Sequence, residues 1–175
     1  MEPRVLGDEL VAVGRRVRLL KRKFEFGGSV FEKDVVAFGE AVVAVPVLDG
    51  GRVVMVRQWR PAVKAWVLEV PAGRVEPGEG PEQAVRRELE EEVGYAAGEL
   101  VKLATAYATP GYSDEVMHFF AALKLEKRGA RPEAGEVLEV VEVDPDAYLA
   151  MAGREVLDLK TVAALALCRA RGLLR

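Results

Sequence analysis

Four glutamates lie within five residues of the segment RRELEEEVG (86–94), and no other feature constrains the fold of this chain as strongly. Pro81 and Glu82 suit the first turn of a helix, and Gly94 suits its end, so the spacing predicts a helix over about 81–93. Like charges one helical turn apart destabilise a helix by ~0.2–0.5 kcal/mol per pair. The segment therefore requires a compensating partner.

The periodicity of an α-helix separates this segment into two faces. Glu88 and Glu92 lie one turn apart on one face, with Glu91 beside them. An apolar face suited to the core remains on the other side. That face consists of Val85, Leu89 and Val93.

Two explanations of the acidic face remain open at this point. Arg86 and Arg87 each stand four residues before a glutamate, so part of the pattern suits ordinary surface ion pairs. Those pairs leave Glu88 and Glu92 unexplained. Carboxylates that converge in this way are typical ligands of a hard divalent cation such as Mg²⁺.

The wider spacing resembles the Nudix box at every defined position. The residues that carry the resemblance are Gly73, Glu79, Arg87, Glu88, Glu91, Glu92 and Gly94. The resemblance implies an α/β (α+β) Nudix fold, in which a mixed sheet lies between helices. It also implies a single domain over residues 1–175, with N-terminal antiparallel strands at about 1–38 and a catalytic core at about 39–175.

The Nudix resemblance also implies roles for individual residues. The metal ligands are Glu88, Glu92, the assisting Glu91 and the backbone carbonyl of Ala72, holding two or more Mg²⁺ or Mn²⁺ ions. Glu92 and Glu91 are thereby catalytic residues. Structural support comes from Gly73, Glu79, Arg87 and Gly94.

Motifs outside the box resemble the ADP-ribose pyrophosphatase branch of the family. These are RQWRP (57–61), LEVPAG (68–73) and a proline, Pro110, sixteen residues after Gly94. The branch implies that Arg60 contacts a diphosphate and that Glu115 binds ribose hydroxyls. Arg57 joins them as a substrate-binding candidate, although for both arginines a solvated strand end is the alternative.

Two features limit how closely the branch pattern applies. The branch uses a glutamate before the strand VLEVVEV (137–143) as a catalytic base or further metal ligand, and Glu136 matches that position best, with Glu133 second. Lys33 and Asp34 stand where the branch often has Arg-Glu, so nucleoside and ribose contacts there are expected to differ. For His118, the only histidine, a packed strand residue is favoured over a base.

The expected reaction is hydrolysis of ADP-ribose to AMP and ribose 5-phosphate. The alternatives are the same reaction on GDP-mannose or ADP-glucose, and a sensor that binds nucleotide sugars without turnover. Relatives with these motifs are usually homodimers that exchange N-terminal strands, and strands at 15–38 suit that arrangement.

Composition excludes several other classes. The net charge of −3 and the lack of a basic, aromatic-rich stretch predict no nucleic-acid partner. No apolar run is long enough to span a bilayer, and no secretory segment is present, so a cytoplasmic location is expected. The lone Cys168 is expected to be buried, and the absence of asparagine suits a thermophile.

The remaining pattern predicts strands and turns. The basic run RRVRLLKRKF (15–24) alternates as a half-exposed strand does. LDGG (48–51) predicts a hairpin between two β-branched runs, and Asp144 predicts a helix cap.

Overall fold

The computed structural model describes residues 2–131 and 137–174. Two compact units make up the chain: the first comprises Met1–Glu40 and Ala106–Met117, and the second comprises Ala41–Thr105 and His118–Arg175. The single-domain assignment stays a prediction. The strands are β1 (Arg4–Val13), β2 (Arg18–Phe26), β3 (Ser29–Ala37), β4 (Glu40–Pro46), β5 (Val53–Arg60), β6 (Ala65–Glu69), β7 (Ala72–Arg74), β8 (Tyr95–Tyr107), β9 (Val116–Lys127) and β10 (Leu138–Val143), and the helices are α1 (Pro81–Glu88), α2 (Pro145–Leu149) and α3 (Leu159–Ala170).

Strands β1, β2 and β3 form an antiparallel sheet in that order. Most of the basic run, residues 18–24, lies in β2 as its alternation predicts, whereas residues 15–17 precede the strand. Gly27 and Gly28 join β2 to β3 with φ angles of 60° and 79°, the left-handed geometry that a tight hairpin turn requires. Much of the apolar surface of this sheet is exposed, and its large exposed side chains include Val5, Leu10, Val13, Val30 and Phe31.

The hairpin predicted at LDGG is wrong in one respect. The turn forms, and Gly51 donates to the carbonyl of Leu48. However, β4 belongs to the sheet β7-β4-β9-β8 and β5 to the sheet β10-β5-β6. Within the described residues, the ladder between them is reduced to an isolated bridge from Val47, just after β4, to Val53. Nearly every residue of β4 is buried, as are the first four of β5. Strands that are apolar on both faces require cover on both sides, and they separate into two layers.

Helix α1 and the residues that directly follow it, up to Val93, pack an apolar face into the core of the second unit. Val85, Leu89 and Val93 are buried there, as the periodicity predicts. Their neighbours in the same cluster come from β4, β5, β8 and β9, and include Val42, Ala44, Val54, Val56, Ala97 and Phe120. This packing fixes the acidic face of the helical segment on the other side.

The two C-terminal helices begin at aspartate caps. Asp144 accepts a hydrogen bond from the N–H of Asp146 at 2.8 Å, which confirms the predicted cap. Asp158 caps α3 by accepting from the N–H of Thr161 at 2.9 Å. Cys168 is buried in α3, as expected, and burial raises the pKa of its thiol to about 12. No helix within the described ranges is long and apolar enough to cross a membrane.

The hydroxyl of Thr161 joins the start of α3 to the end of the β6 segment. It accepts from the N–H of Val70 at 3.0 Å and donates to Asp158 at 2.6 Å, and Thr161 is fully buried. We predict that Thr161→Val lowers the free energy of unfolding by ~1–3 kcal/mol, because the buried N–H of Val70 loses its acceptor. Thr161→Ser keeps the hydroxyl and should lose less. Denaturant unfolding of both variants tests this, and equal losses would contradict it.

Candidate active site

The acidic segment does not continue as a regular α-helix. After Glu88, residues Leu89–Val93 form a single π-helical turn, which Gly94 closes by donating to the carbonyl of Leu89. The assumption of α-helical spacing across the whole segment is therefore wrong. A π turn contains an additional residue, so it rotates the residues that follow it and is frequent at functional sites. The turn buries Glu92 together with its apolar neighbours Leu89 and Val93.

Glu88 and Glu92 both reach strand β7. The Glu92 carboxylate is 3% exposed and accepts a hydrogen bond from the N–H of Ala72 at 3.1 Å. The carboxylate of Glu88 occupies the space beside Gly73, where any Cβ would overlap it. The fold thus brings two carboxylates to consecutive residues of one short strand.

Arg87 is the partner that the clustered negative charge requires. Its guanidinium donates to both carboxylate oxygens of Glu79 at 3.0 Å, to Glu88 at 2.7 Å and to Glu91 at 3.1 Å. It also donates to the carbonyl of Arg74 at 2.9 Å. The hydrogen bonds that Arg87 donates, those to Glu79 foremost, raise the pKa of Arg87, so its charge is permanent.

Arg86 does not form the surface pair that its spacing from Glu90 suggests. It donates to the carbonyl of Ala97. At the end of the π turn, Gly94 has a φ of 72°, and a Cβ there would meet the backbone of Gly129 and Ala130. Position 94 therefore requires glycine for two reasons: its backbone conformation and the close approach of another backbone segment.

The oxygen donors at β7 suit an open metal site. Within residues 2–131 and 137–174, no three His, Cys, Asp or Glu side chains lie close enough to enclose an ion by themselves. Mg²⁺ does not need such a cage, because it binds through one or two carboxylates and completes its shell with water and substrate phosphates. Glu88 and Glu92 beside the backbone of Ala72, with space kept by Gly73, fit that requirement.

Arg60, the candidate for diphosphate binding, makes a two-bond pair with Glu69 at 2.7 and 2.8 Å. Burial lowers the pKa of Arg60. The hydrogen bond to Glu69 and the negative charges of Glu69, Glu92 and Asp158 together raise it by more, so the pKa is higher than usual. The sequence motifs did not single out Glu69 as a functional residue. The available signal was that Glu69 is the one charged residue of the short apolar segment AWVLE. A carboxylate buried in such a strand requires a charged or hydrogen-bonding partner.

Arg57 lies at the exposed end of β5. Its guanidinium stands 4.9 Å from the centre of the Trp66 ring, and it pairs with Glu139 of β10 at 3.3 Å. His118 is buried and shares a hydrogen bond of 3.1 Å with the hydroxyl of Thr105. This is the environment of a packed histidine.

Three substrate-binding candidates belong to the first unit. Pro110 lies in a turn in which Tyr112 and Ser113 both donate to the carbonyl of Thr109. Glu115 follows, and its N–H donates to the hydroxyl of Ser113 at 3.1 Å. Lys33 is exposed on β3. Glu133 and Glu136 lie outside the described residues.

Comparison with known proteins identifies the family. The NUDIX domain model matches residues 37–165, and the chain therefore belongs to the Nudix family. The α+β Nudix fold expected from the box is confirmed. Nudix pyrophosphatases generally depend on divalent metal ions.

Individual relatives are similar over almost the whole chain. The ADP-ribose pyrophosphatase of Bacillus subtilis is 36% identical over 171 residues, covering 94% of this chain and 91% of the relative. The methanol dehydrogenase activator of Bacillus methanolicus is 30% identical, with the same two coverages. A solved structure described as an ADP compounds hydrolase superposes with a TM-score of 0.85 at 26% identity, covering 99% of this chain and 96% of that one.

The Arg87–Glu79 pair predicts a pH-dependent contribution to stability. The hydrogen bond from Arg87 holds the pKa of Glu79 below its ordinary value of 4.5. A carboxyl with a lowered folded-state pKa stabilises the protein above its unfolded-state pKa, and this contribution is lost as the pH falls through the folded-state pKa. The stability advantage of the wild type over Glu79→Gln should therefore be full at pH 7 and shrink below about pH 4.5.

Denaturant unfolding at several pH values measures that advantage. Glu90→Gln, an exposed position of the same helical segment, is the control and should show a smaller pH dependence. A difference in unfolding free energy between wild type and Glu79→Gln that stays constant down to pH 3 would contradict the prediction.

Gly73 generates a second prediction about the site. We expect Gly73→Ala to displace the carboxylate of Glu88, because the new methyl group needs the same space. The result should be roughly tenfold or greater weakening of Mn²⁺ binding, measured by electron paramagnetic resonance. Gly80→Ala is the matched control, because a Cβ there meets only Gln83 at 3.6 Å. Equal Mn²⁺ affinity in both variants would count against the site.

Proposed function

We propose that this protein is a divalent-metal-dependent hydrolase that splits the pyrophosphate bond of ADP-ribose, giving AMP and ribose 5-phosphate. The observation that carries the proposal is the convergence of Glu88 and Glu92 on Ala72 and Gly73 within a Nudix domain. The name of the Bacillus subtilis relative supports ADP-ribose as the substrate. Mg²⁺ or Mn²⁺, with two or more ions per site, is the proposed cofactor.

The residues that would hold the metal are Glu88, Glu92, the assisting Glu91 and the carbonyl of Ala72. When bound, divalent ions neutralise phosphate oxygens and lower the pKa of a bound water. The protein supplies orientation: Arg87 fixes the carboxylates of Glu88 and Glu91 through its hydrogen bonds. Glu136, or Glu133 as second choice, remains the proposed base or further ligand.

The substrate requires positive charge for its diphosphate and polar groups for its sugars. Arg60 is the proposed diphosphate contact, since a planar guanidinium donates hydrogen bonds in pairs. Arg57 and Lys33 are further proposed contacts. We assign Glu115 to ribose hydroxyls and Pro110 to shaping the turn that carries it.

Location and assembly are also proposals. We expect a cytoplasmic protein that forms a homodimer by exchanging N-terminal strands. The exposed apolar residues of β1 and β3, such as Leu10 and Phe31, support this proposal, because a second subunit would remove them from water. The thermophilic origin stays a prediction from composition.

Two other functions are distinguishable. Lys33 and Asp34 depart from the branch pattern, so GDP-mannose or ADP-glucose would be the substrate if the pocket differs there. The Bacillus methanolicus relative is named for its effect on another enzyme, which keeps a regulatory role without turnover as the third candidate.

Product analysis with Mg²⁺ tests the proposal. We expect AMP from ADP-ribose, with slower turnover of ADP-glucose, GDP-mannose, NADH and a nucleoside triphosphate. Glu92→Gln should fold normally and lose nearly all turnover, because the amide removes a buried anionic ligand. Glu90→Gln is the matched control and should keep wild-type turnover.

Each alternative outcome has a distinct meaning. Preference for another nucleotide sugar would retain the metal chemistry and reject ADP-ribose. Absence of turnover with every substrate tested would favour the regulatory role. Near wild-type activity in Glu92→Gln would show that the metal site is misassigned.

A further inference from the structure

We propose that Glu69 and Lys160 are positioning residues, which hold the guanidinium of Arg60 in the orientation needed to bind the substrate's diphosphate. The proposal rests on the proposed function for what Arg60 binds. The positioning itself rests on contacts among Arg60, Glu69, Lys160 and Asp158, and it can be tested without turnover.

Glu69 is 1% exposed, and both of its oxygens are engaged. Oε1 accepts from Nε of Arg60 at 2.7 Å, and Oε2 accepts from Nη2 at 2.8 Å. Two parallel bonds between a carboxylate and a guanidinium fix the plane of the guanidinium as well as its distance. Glu69 therefore sets the orientation of Arg60.

Lys160 connects this pair to the start of α3. Its side chain is 14% exposed, and its ammonium group contacts Oε2 of Glu69 and, at 3.0 Å, the carboxylate of Asp158. Asp158 is itself fixed as the cap of α3. Charges of alternating sign thus run from the helix terminus through Asp158, Lys160 and Glu69 to Arg60.

Removing Lys160 would unbalance this row of charges. The carboxylates of Glu69 and Asp158 would then lack the cation that lies between them. Buried charges that lose a partner are strongly destabilised, so Glu69 would shift or take up water, and Arg60 would lose its fixed plane.

The orientation matters because Arg60 retains donors for a ligand. The two bonds to Glu69 use two of the five N–H donors of the guanidinium. The Arg60 side chain is 36% exposed. The charge of Glu92 also favours the charged form of Arg60. Three N–H donors of this partly exposed guanidinium are thus left for hydrogen bonds to a diphosphate.

A double-mutant cycle with ADP-ribose and Mg²⁺ separates positioning from a general structural role. Lys160→Met should lower kcat/KM by roughly tenfold to a hundredfold, mainly through KM, because a misplaced binding group loses that much. The conservative variant Lys160→Arg should retain most of the wild-type kcat/KM. In an Arg60→Ala background, Lys160→Met should have no further effect. Lys124→Met, which removes the exposed Lys124–Glu99 pair, is the matched control and should leave both backgrounds unchanged.

Either of two kinetic results would overturn the proposal. One is an equal loss from Lys160→Met in the wild-type and Arg60→Ala backgrounds. The other is no loss in the wild-type background.

Nitrogen-15 NMR of the Arg60 side chain gives a second readout without substrate. The Nε–H of Arg60 should exchange slowly in the wild type and in Lys160→Arg, and faster in Lys160→Met and Glu69→Gln. Unchanged exchange in folded variants would refute positioning whatever the activity. If exchange responds as expected but the wild type hydrolyses none of the substrates, positioning stands and the proposed hydrolase function fails.

Discussion

The hydrogen bonds of the Arg87 guanidinium are the interaction on which the site depends. One side chain binds the carboxylates of Glu79, Glu88 and Glu91 and the carbonyl of Arg74, so it joins the loop, the helix and strand β7. The planar guanidinium carries several donors at fixed angles, whereas the ammonium of a lysine would act as a point charge. Arg87 therefore fixes where the carboxylates stand as well as offsetting their charge.

The site divides the acidic residues between two environments. Glu79 and Glu91 accept hydrogen bonds from Arg87, while Glu92 is buried and accepts a hydrogen bond from the backbone of Ala72. Glu88 belongs to both environments, since it pairs with Arg87 and its carboxylate lies beside Gly73 on strand β7. The local repulsion in RRELEEEVG is thus reduced both by Arg87 within the segment and by the N–H of Ala72 on strand β7.

The sequence predicted much of the fold and the residues that the fold brings together at β7. Box spacing marked Ala72, Glu88 and Glu92 as candidate metal ligands, and their placement depends on short-range geometry along one loop and one helix. It could not place β4 and β5 in different sheets, because local turn chemistry at LDGG is the same whether the strands stay paired or separate. That outcome depends on burial by distant parts of the chain.

The contacts of Arg60 show the same limit. The motif RQWRP marked Arg60, but its partner Glu69 lies on strand β6. Lys160, which pairs with Glu69 and Asp158, lies at the start of α3. No period or spacing relates residues 60 and 160, so only tertiary structure reveals that they act on one carboxylate. The π turn was missed for a related reason: Leu89 and Val93 are buried in the core at this turn, and local propensity does not encode such tertiary packing.

The π turn has a consequence for how this chain can change in evolution. It holds one residue more than an α-helical turn would, so deleting a residue between 89 and 93 would give a more regular helix. The same deletion would turn the Glu92 carboxylate away from Ala72. Selection for helix stability and selection for the site therefore oppose each other at this point. The length of the segment is constrained more tightly than the identity of its exposed residues, and natural variation is expected as substitutions there rather than insertions or deletions.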